Sequence, residues 1–152
     1  MKVKDLMTKD VRICGINDNL SIAARTMWLR DCGVLPVVNA KAEVVGVLTD
    51  RDICIAVCSK DRAPSTIPVS EVVVRKIHSC SPEADIREAL EIMREKHVRR
   101  LPVVDTKGKL CGILSLDDAA LKARARPAEL SAEDVDITLE AICRRAPQKE
   151  AA

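Results

Sequence analysis

The chain has 152 residues, enough for one compact domain or for two small repeats that fold together. Its net charge of +2 is too small to argue for nucleic-acid binding. No apolar run approaches the roughly 20 residues of a membrane helix, and the charged start MKVKDLMTKDV does not read as a signal peptide.

Apolar residues make up 47% of the sequence and charged residues 32%, the balance of a soluble globular chain. Phe and Tyr are absent and Trp28 is the only aromatic residue, so the core must be aliphatic and ring stacking can hardly hold a base. The seven cysteines are odd in number and contain no C-x-x-C, and Cys14, Cys32, Cys80 and Cys111 sit in apolar surroundings. These features predict a reduced, cytoplasmic protein.

In chain order, a short lead-in over 3–15 precedes a predicted helix, NLSIAARTMWLRDC, with Asn19 as cap and Ile22, Thr26 and Leu29 along one face. Two β-rich runs follow, VLPVV and EVVGVL, joined by the turn NAKA, and then a second helix, TDRDICIAVCSK. The stretch SKDRAPSTIP is polar, carries two prolines and reads as a linker. A second lead-in, VSEVVVRKIHSC, opens the same order again. In PEADIREALEIMREKHVRR, Ile86, Leu90 and Met93 form an i, i+4, i+7 stripe, and Ser81-Pro82-Glu83 predicts the helix start. The strands LPVV and KLCGIL join through DTKG, where Gly108 can take a positive φ, and SLDDAALKARAR is again helical. Past the repeat, LSAEDVDITLEAICRR predicts a capped helix over about 131–145, with Ser131 as N-cap, Arg144 and Arg145 near its end, and a partial apolar face of Val135, Leu139 and Ile142. The terminal APQKEAA is expected to fray.

Sliding the chain against itself by 66 positions aligns Cys14 with Cys80, Met27 with Met93, Leu35–Val38 with Leu101–Val104, Gly46 with Gly112 and Asp52 with Asp118, without a gap. One register kept this long is an internal duplication. The expected organisation is repeat 1 over 1–61, a linker over 62–68, repeat 2 over 69–125 and an extension over 126–152. The fold class is α+β, with two pseudo-symmetric β-α-β-β-α repeats packed through their sheets plus a C-terminal helix.

This order, with a hydrophobic-P-V-V-(N/D)…G-(V/I)-L-(T/S)-x-x-D signature in both copies, resembles the CBS domain, named after cystathionine β-synthase. A tandem pair of these domains is called a Bateman module. The resemblance covers residues 3 to about 125 and implies a regulatory or sensory module rather than an enzyme. It also implies clefts between the repeats that take adenosine-containing ligands: AMP, ADP or ATP first, NAD or S-adenosylmethionine as alternatives. In such clefts an Asp at the start of the second helix bonds the ribose hydroxyls, assisted by a Thr or Ser three residues earlier. Here these are Ser115 and Asp118 in copy two, and Thr49 and Asp52 in copy one. An ionised carboxylate suits a cis-diol because charge-assisted bonds are stronger than neutral ones, although T-x-x-D and S-x-x-D are equally the pattern of a helix capping box.

The resemblance further implies a phosphate-facing cation at Arg99, with Arg100 beside it or serving as a solvated helix end. Thr8 lines this better-equipped cleft, with the backbone near Val11–Ile13 open to an adenine edge. The weaker cleft has Val74 in place of Thr8, no equivalent cation, and Arg51 as a substitute. No catalytic constellation is evident, since His78 and His97 occupy non-equivalent repeat positions. Cys54 and Cys58, at i and i+4, are read as packing rather than metal ligands. A homodimer meeting through helices that carry Trp28, Cys54 and Val57 is expected, signalling to a separate regulated protein, with no nucleic acid or membrane partner. The rival readings are an interaction module with empty clefts and, more weakly, a thiol-based redox or metal responder.

Overall fold

The structure is a computed structural model and describes residues 1–73 and 77–144. Its helices are α1 (Leu20–Arg30), α2 (Asp50–Lys60), α3 (Ile86–Lys96), α4 (Leu116–Ala125) and α5 (Ala132–Cys143); its strands are β1 (Cys14–Gly15), β2 (Val34–Val38), β3 (Val44–Thr49), β4 (Arg100–Val104) and β5 (Leu110–Ser115). The α+β class and the repeated order are as the sequence predicts. β1 runs parallel to β2, pairing Cys14 with Val37, and β2 is antiparallel to β3. In the second copy β4 and β5 form a two-stranded sheet, and the place of β1 is taken by a single parallel bridge, Cys80 to Val103, at the same register positions.

Two hydrophobic clusters divide the chain into two compact units. One holds Met1–Lys9, His78–Val103 and the described residues from Cys111 onward; the other holds 10–73, Ile77 and Val104–Leu110. Each unit therefore combines most of one repeat with the lead-in of the other. In the first, Val3 is fully buried among Ile86, Leu90, Leu114 and Leu130, its N–H donates to Ala84 O at 3.0 Å, and Lys2 bridges Asp85. In the second, Ile67 and Val69 are buried among Leu20, Leu35 and Leu48, Leu20 N donates to Ile67 O at 3.0 Å, and Asn19 bridges Pro68. These pairings are repeat-equivalent: Lys2 matches Pro68 and Asn19 matches Asp85 in the 66-residue register.

Several local expectations are corrected. α3 is capped by Asp85, which accepts from Arg87 N at 2.9 Å, and not by Ser81. Between Ser81 and Asp85 the chain turns, and the carbonyls of Pro82 and Ala84 accept from Lys4 N and Val3 N of the N-terminal arm, so they are not free to start the helix. On α1, Asn19 does cap, accepting from Ile22 N at 3.0 Å. The buried stripe, however, is Leu20, Ala23 and Met27, while Ile22 and Leu29 face outward. Gly108 adopts φ 74° in its turn, and its repeat counterpart Ala42 accepts the same left-handed backbone at φ 59° despite its Cβ. α5 forms as expected from Ser131, whereas Arg145 lies outside the described residues.

Candidate functional site

β5 alternates like β3, burying Gly112 and Leu114 and leaving Ser115 at its end, where α4 starts. Ser115 Oγ accepts from Asp118 N at 3.0 Å, and Asp118 Oδ2 accepts both from Ser115 N at 2.9 Å and from Ser115 Oγ at 2.6 Å. This reciprocal box satisfies two of the donors a helix start leaves orphaned and fixes the carboxylate at the positive end of the helix dipole. Among the described residues both protein donors fall on Oδ2, and Oδ1 receives none. Thr49 and Asp52 repeat the geometry at the start of α2, with 3.1, 2.9 and 2.7 Å for the same three bonds in that order.

The N-terminal arm brings Thr8 alongside β5. Thr8 N donates to Ile113 O and Ile113 N to Thr8 O, each at 2.9 Å, which sets Thr8 beside the strand leading into Ser115. Gly112 permits this approach: a Cβ there would stand 2.7 Å from Thr8 O and 2.8 Å from Met7 Sδ. A shallow cleft of about 260 Å³ opens beside Asp118, lined also by Asp5, Leu6, Leu121, Lys122 and Ala125. Lys122, one turn after Asp118 on the same helix face, is a cation that the sequence reading missed; the i, i+4 spacing from Asp118 could have found it.

The other site residues are dispersed. Leu116 N donates to the Arg99 carbonyl at 2.9 Å, so the backbone of Arg99 adjoins the start of α4, but its guanidinium turns to α5 and lies 3.7 Å from Cys143 Sγ. Arg100 Nη2 stands 3.7 Å from Asp117 Oδ2. In the other unit Arg51 is solvent-exposed, and Gly33 takes the place of Arg99, its carbonyl accepting from Asp50 N at 3.2 Å. Val74 lies outside the described residues. His97 ends α3 in the left-handed region at φ 52°. Burial pushes the thiol of Cys14 up to about 12 and that of Cys80 up to about 11, so neither forms a thiolate near neutral pH. Among the described residues no three His, Cys, Asp or Glu side chains gather as a metal site, and no helix is long and apolar enough to cross a membrane.

The family model for the CBS domain matches residues 3–59 and again 69–123. This chain belongs to the CBS domain family. A CBS domain-containing protein of Bacillus subtilis, YhcV, is 37% identical over 119 residues, covering 78% of this chain and 83% of the relative. The crystal structure of Hypoxic Response Protein I, solved with two coordinated zinc ions, superposes with a TM-score of 0.73 at 32% identity over 80% of this chain and 98% of that one. The CBS domain pair of protein MJ0100, crystallised with 5′-methylthioadenosine and S-adenosyl-L-methionine, matches at TM-score 0.74 over 83% of this chain and 98% of that one. At 21% identity that likeness shows the fold. The tandem CBS pair with a C-terminal helix is thereby the architecture of this chain.

Proposed function

We propose that this CBS pair is a non-catalytic, cytoplasmic regulatory module that senses an adenine nucleotide, with Thr8, Ser115 and Asp118 forming the principal site. Two repeats, 1–61 and 69–125, joined by 62–68 and followed by the extension 126–152, make up the module. It needs no cofactor for its fold. It acts as a homodimer on a separate regulated protein.

The observation that carries the reading is the carboxylate of Asp118, whose Oδ2 is held by a capping box while Oδ1 takes no protein donor, in a residue that lines a cleft. A ribose cis-diol supplies the hydroxyl donors that such an oxygen lacks. Phosphate charge is met by Lys122 along the cleft and by Arg99, which leaves its weak contact with Cys143 to reach it. Thr49 and Asp52, with Arg51 nearby, offer a second and less basic ribose site. The adenosyl ligands of the MJ0100 pair support the ligand class.

Calorimetric titration of AMP, ATP, NAD and S-adenosylmethionine into the wild type and Asp118→Asn tests this. The amide keeps an acceptor for the cap but loses the charge. The expected result is micromolar-range binding by at least one nucleotide, weakened about tenfold or more in the variant, since hydrogen bonds to charged groups contribute about 1.5–3 kcal/mol. ATP is expected to outbind adenosine by more than about tenfold. Binding by none of the four would favour an interaction module and end the sensor reading.

A further inference from the structure

The two hydroxyl–carboxylate boxes are alike, but the side chains around them differ in charge. In both repeats one main-chain bond ties the strand start to the helix start: Leu116 N donates to the Arg99 carbonyl at 2.9 Å, and Asp50 N to the Gly33 carbonyl at 3.2 Å. The 66-residue register therefore compares side chains on one framework. Gly33 replaces Arg99, Ala56 replaces Lys122, Asp31 replaces His97 and Asp50 replaces Leu116. Each of these exchanges removes a basic group or adds an acidic one. Arg51 for Asp117 runs the other way, but Asp50 lines a cavity and Arg51 does not.

A Cβ at position 33 would stand 3.0 Å from Asp50 Oδ2, so the carboxylate takes the space in which a side chain equivalent to that of Arg99 would begin. Asp50 Oδ1 accepts from Arg51 N at 2.7 Å, which orients the group. Asp50 lies in the first turn of α2, where its charge offsets the positive helix end that would otherwise attract phosphate. Among the described residues neither Asp50 nor Asp31 has an ion-pair partner. Both line the cavity, of about 430 Å³, together with Gly33, Trp28 and the buried Met27 and Ile53. Apolar walls, an indole and two unpaired carboxylates suit a positive centre that carries hydrocarbon. The same carboxylates repel a phosphate.

We propose that Asp50 is a specificity-determining residue. It turns the Thr49–Asp52 site away from nucleotides and toward an adenosyl ligand whose 5′ end is cationic, such as a sulfonium, leaving phosphates to the Ser115–Asp118 site. Asp52 holds the ribose as in the reading above, on which this inference rests, and Asp50 meets the charge of the 5′ substituent. One chain thereby reads two adenosyl ligands of opposite charge.

S-adenosylmethionine, the neutral 5′-methylthioadenosine and ATP are titrated calorimetrically into the full chain as wild type, Asp52→Asn, Asp118→Asn and Asp50→Asn. The amide at position 50 keeps an acceptor for Arg51 N and loses only the charge. In the wild type S-adenosylmethionine is expected to bind more tightly than methylthioadenosine. Its affinity falls about tenfold or more in Asp52→Asn and stays within about threefold in Asp118→Asn, while ATP shows the reverse. Asp50→Asn is expected to cut the preference for S-adenosylmethionine over methylthioadenosine at least about threefold at low ionic strength, an effect that fades toward about 1 M salt as screening removes an exposed charge pair. An unchanged preference in Asp50→Asn would overturn the inference, as would ATP binding that depends on Asp52 or a chain that binds ATP but not S-adenosylmethionine. Each of these leaves the nucleotide reading standing. Binding of none of the three ligands by the wild type would overturn both.

Discussion

Asp118 closes the cap of α4 through Oδ2, and its Oδ1 takes no protein donor, so the S-x-x-D pattern that reads equally as cap or ligand contact is structurally the first and, in our proposal, also the second. Both residues of the pair were legible because the repeat places them twice in one register. Lys122 was not singled out, since a lone lysine on an amphipathic helix carries no mark until the cleft beside it is known. The orientation of Arg99 was equally hidden, because its sulfur contact comes from a helix some 40 residues away in sequence. Gly112 is the residue on which the arm depends. Gly112→Ala forces its new methyl against the Thr8 carbonyl, and we expect a loss of about 1–3 kcal/mol, the usual cost of overpacking, read as a lower midpoint in urea. An unchanged midpoint would mean that the arm does not sit against β5 as described.

At the scale of elements, periodicity served α3 best, because its apolar stripe is segregated, and α1 worst, because apolar residues lie on both of its sides. The start of α3 was misread because Ser81 and Asp85 are both good caps, and only the N-terminal arm selects between them. α5 is a clear case of local and tertiary signals agreeing. Ser131 and Asp134 form its capping box, and Val135 enters the core beside Leu130. The Ser131 hydroxyl, then the Ser131 N–H, with Arg87 and Arg94 adding their charge, hold the Asp134 carboxyl below its ordinary 3.8. A carboxyl lowered in the folded state stabilises fully above its ordinary value and loses that contribution as pH falls through the lowered one. Asp134→Asn should therefore melt about 2–4 °C below the wild type at pH 7, corresponding to about 1 kcal/mol. The gap should close as the pH is taken below 3.8. A gap that persists in acid would mean that the charge of Asp134 is not what matters.

At the scale of the molecule, the duplication was plain in the sequence, but the exchange of lead-ins was not readable from periodicity, since the pairings of Lys2 with Asp85 and of Asn19 with Pro68 join segments far apart in the chain. The family resemblance alone implied that Thr8 belongs with the second repeat. The exchange makes 62–68 a poor place to divide the protein: residues 1–61 lose Ile67 and Val69 from their core, and residues 62–125 lose Val3. Neither fragment is expected to melt cooperatively by circular dichroism, and a cooperative transition in 1–61 alone would show that the exchanged arm is dispensable. The same exchange gives the nucleotide reading its geometry, since the arm carries Thr8 to the strand that ends at Ser115 and Asp118. The most direct measurement is calorimetric titration of the wild-type chain with its tightest-binding adenine nucleotide and with the 2′-deoxy form of that nucleotide. If Asp118 holds the ribose diol, the deoxy form binds at least about tenfold more weakly; equal affinity for the two, or binding by neither, would contradict the account.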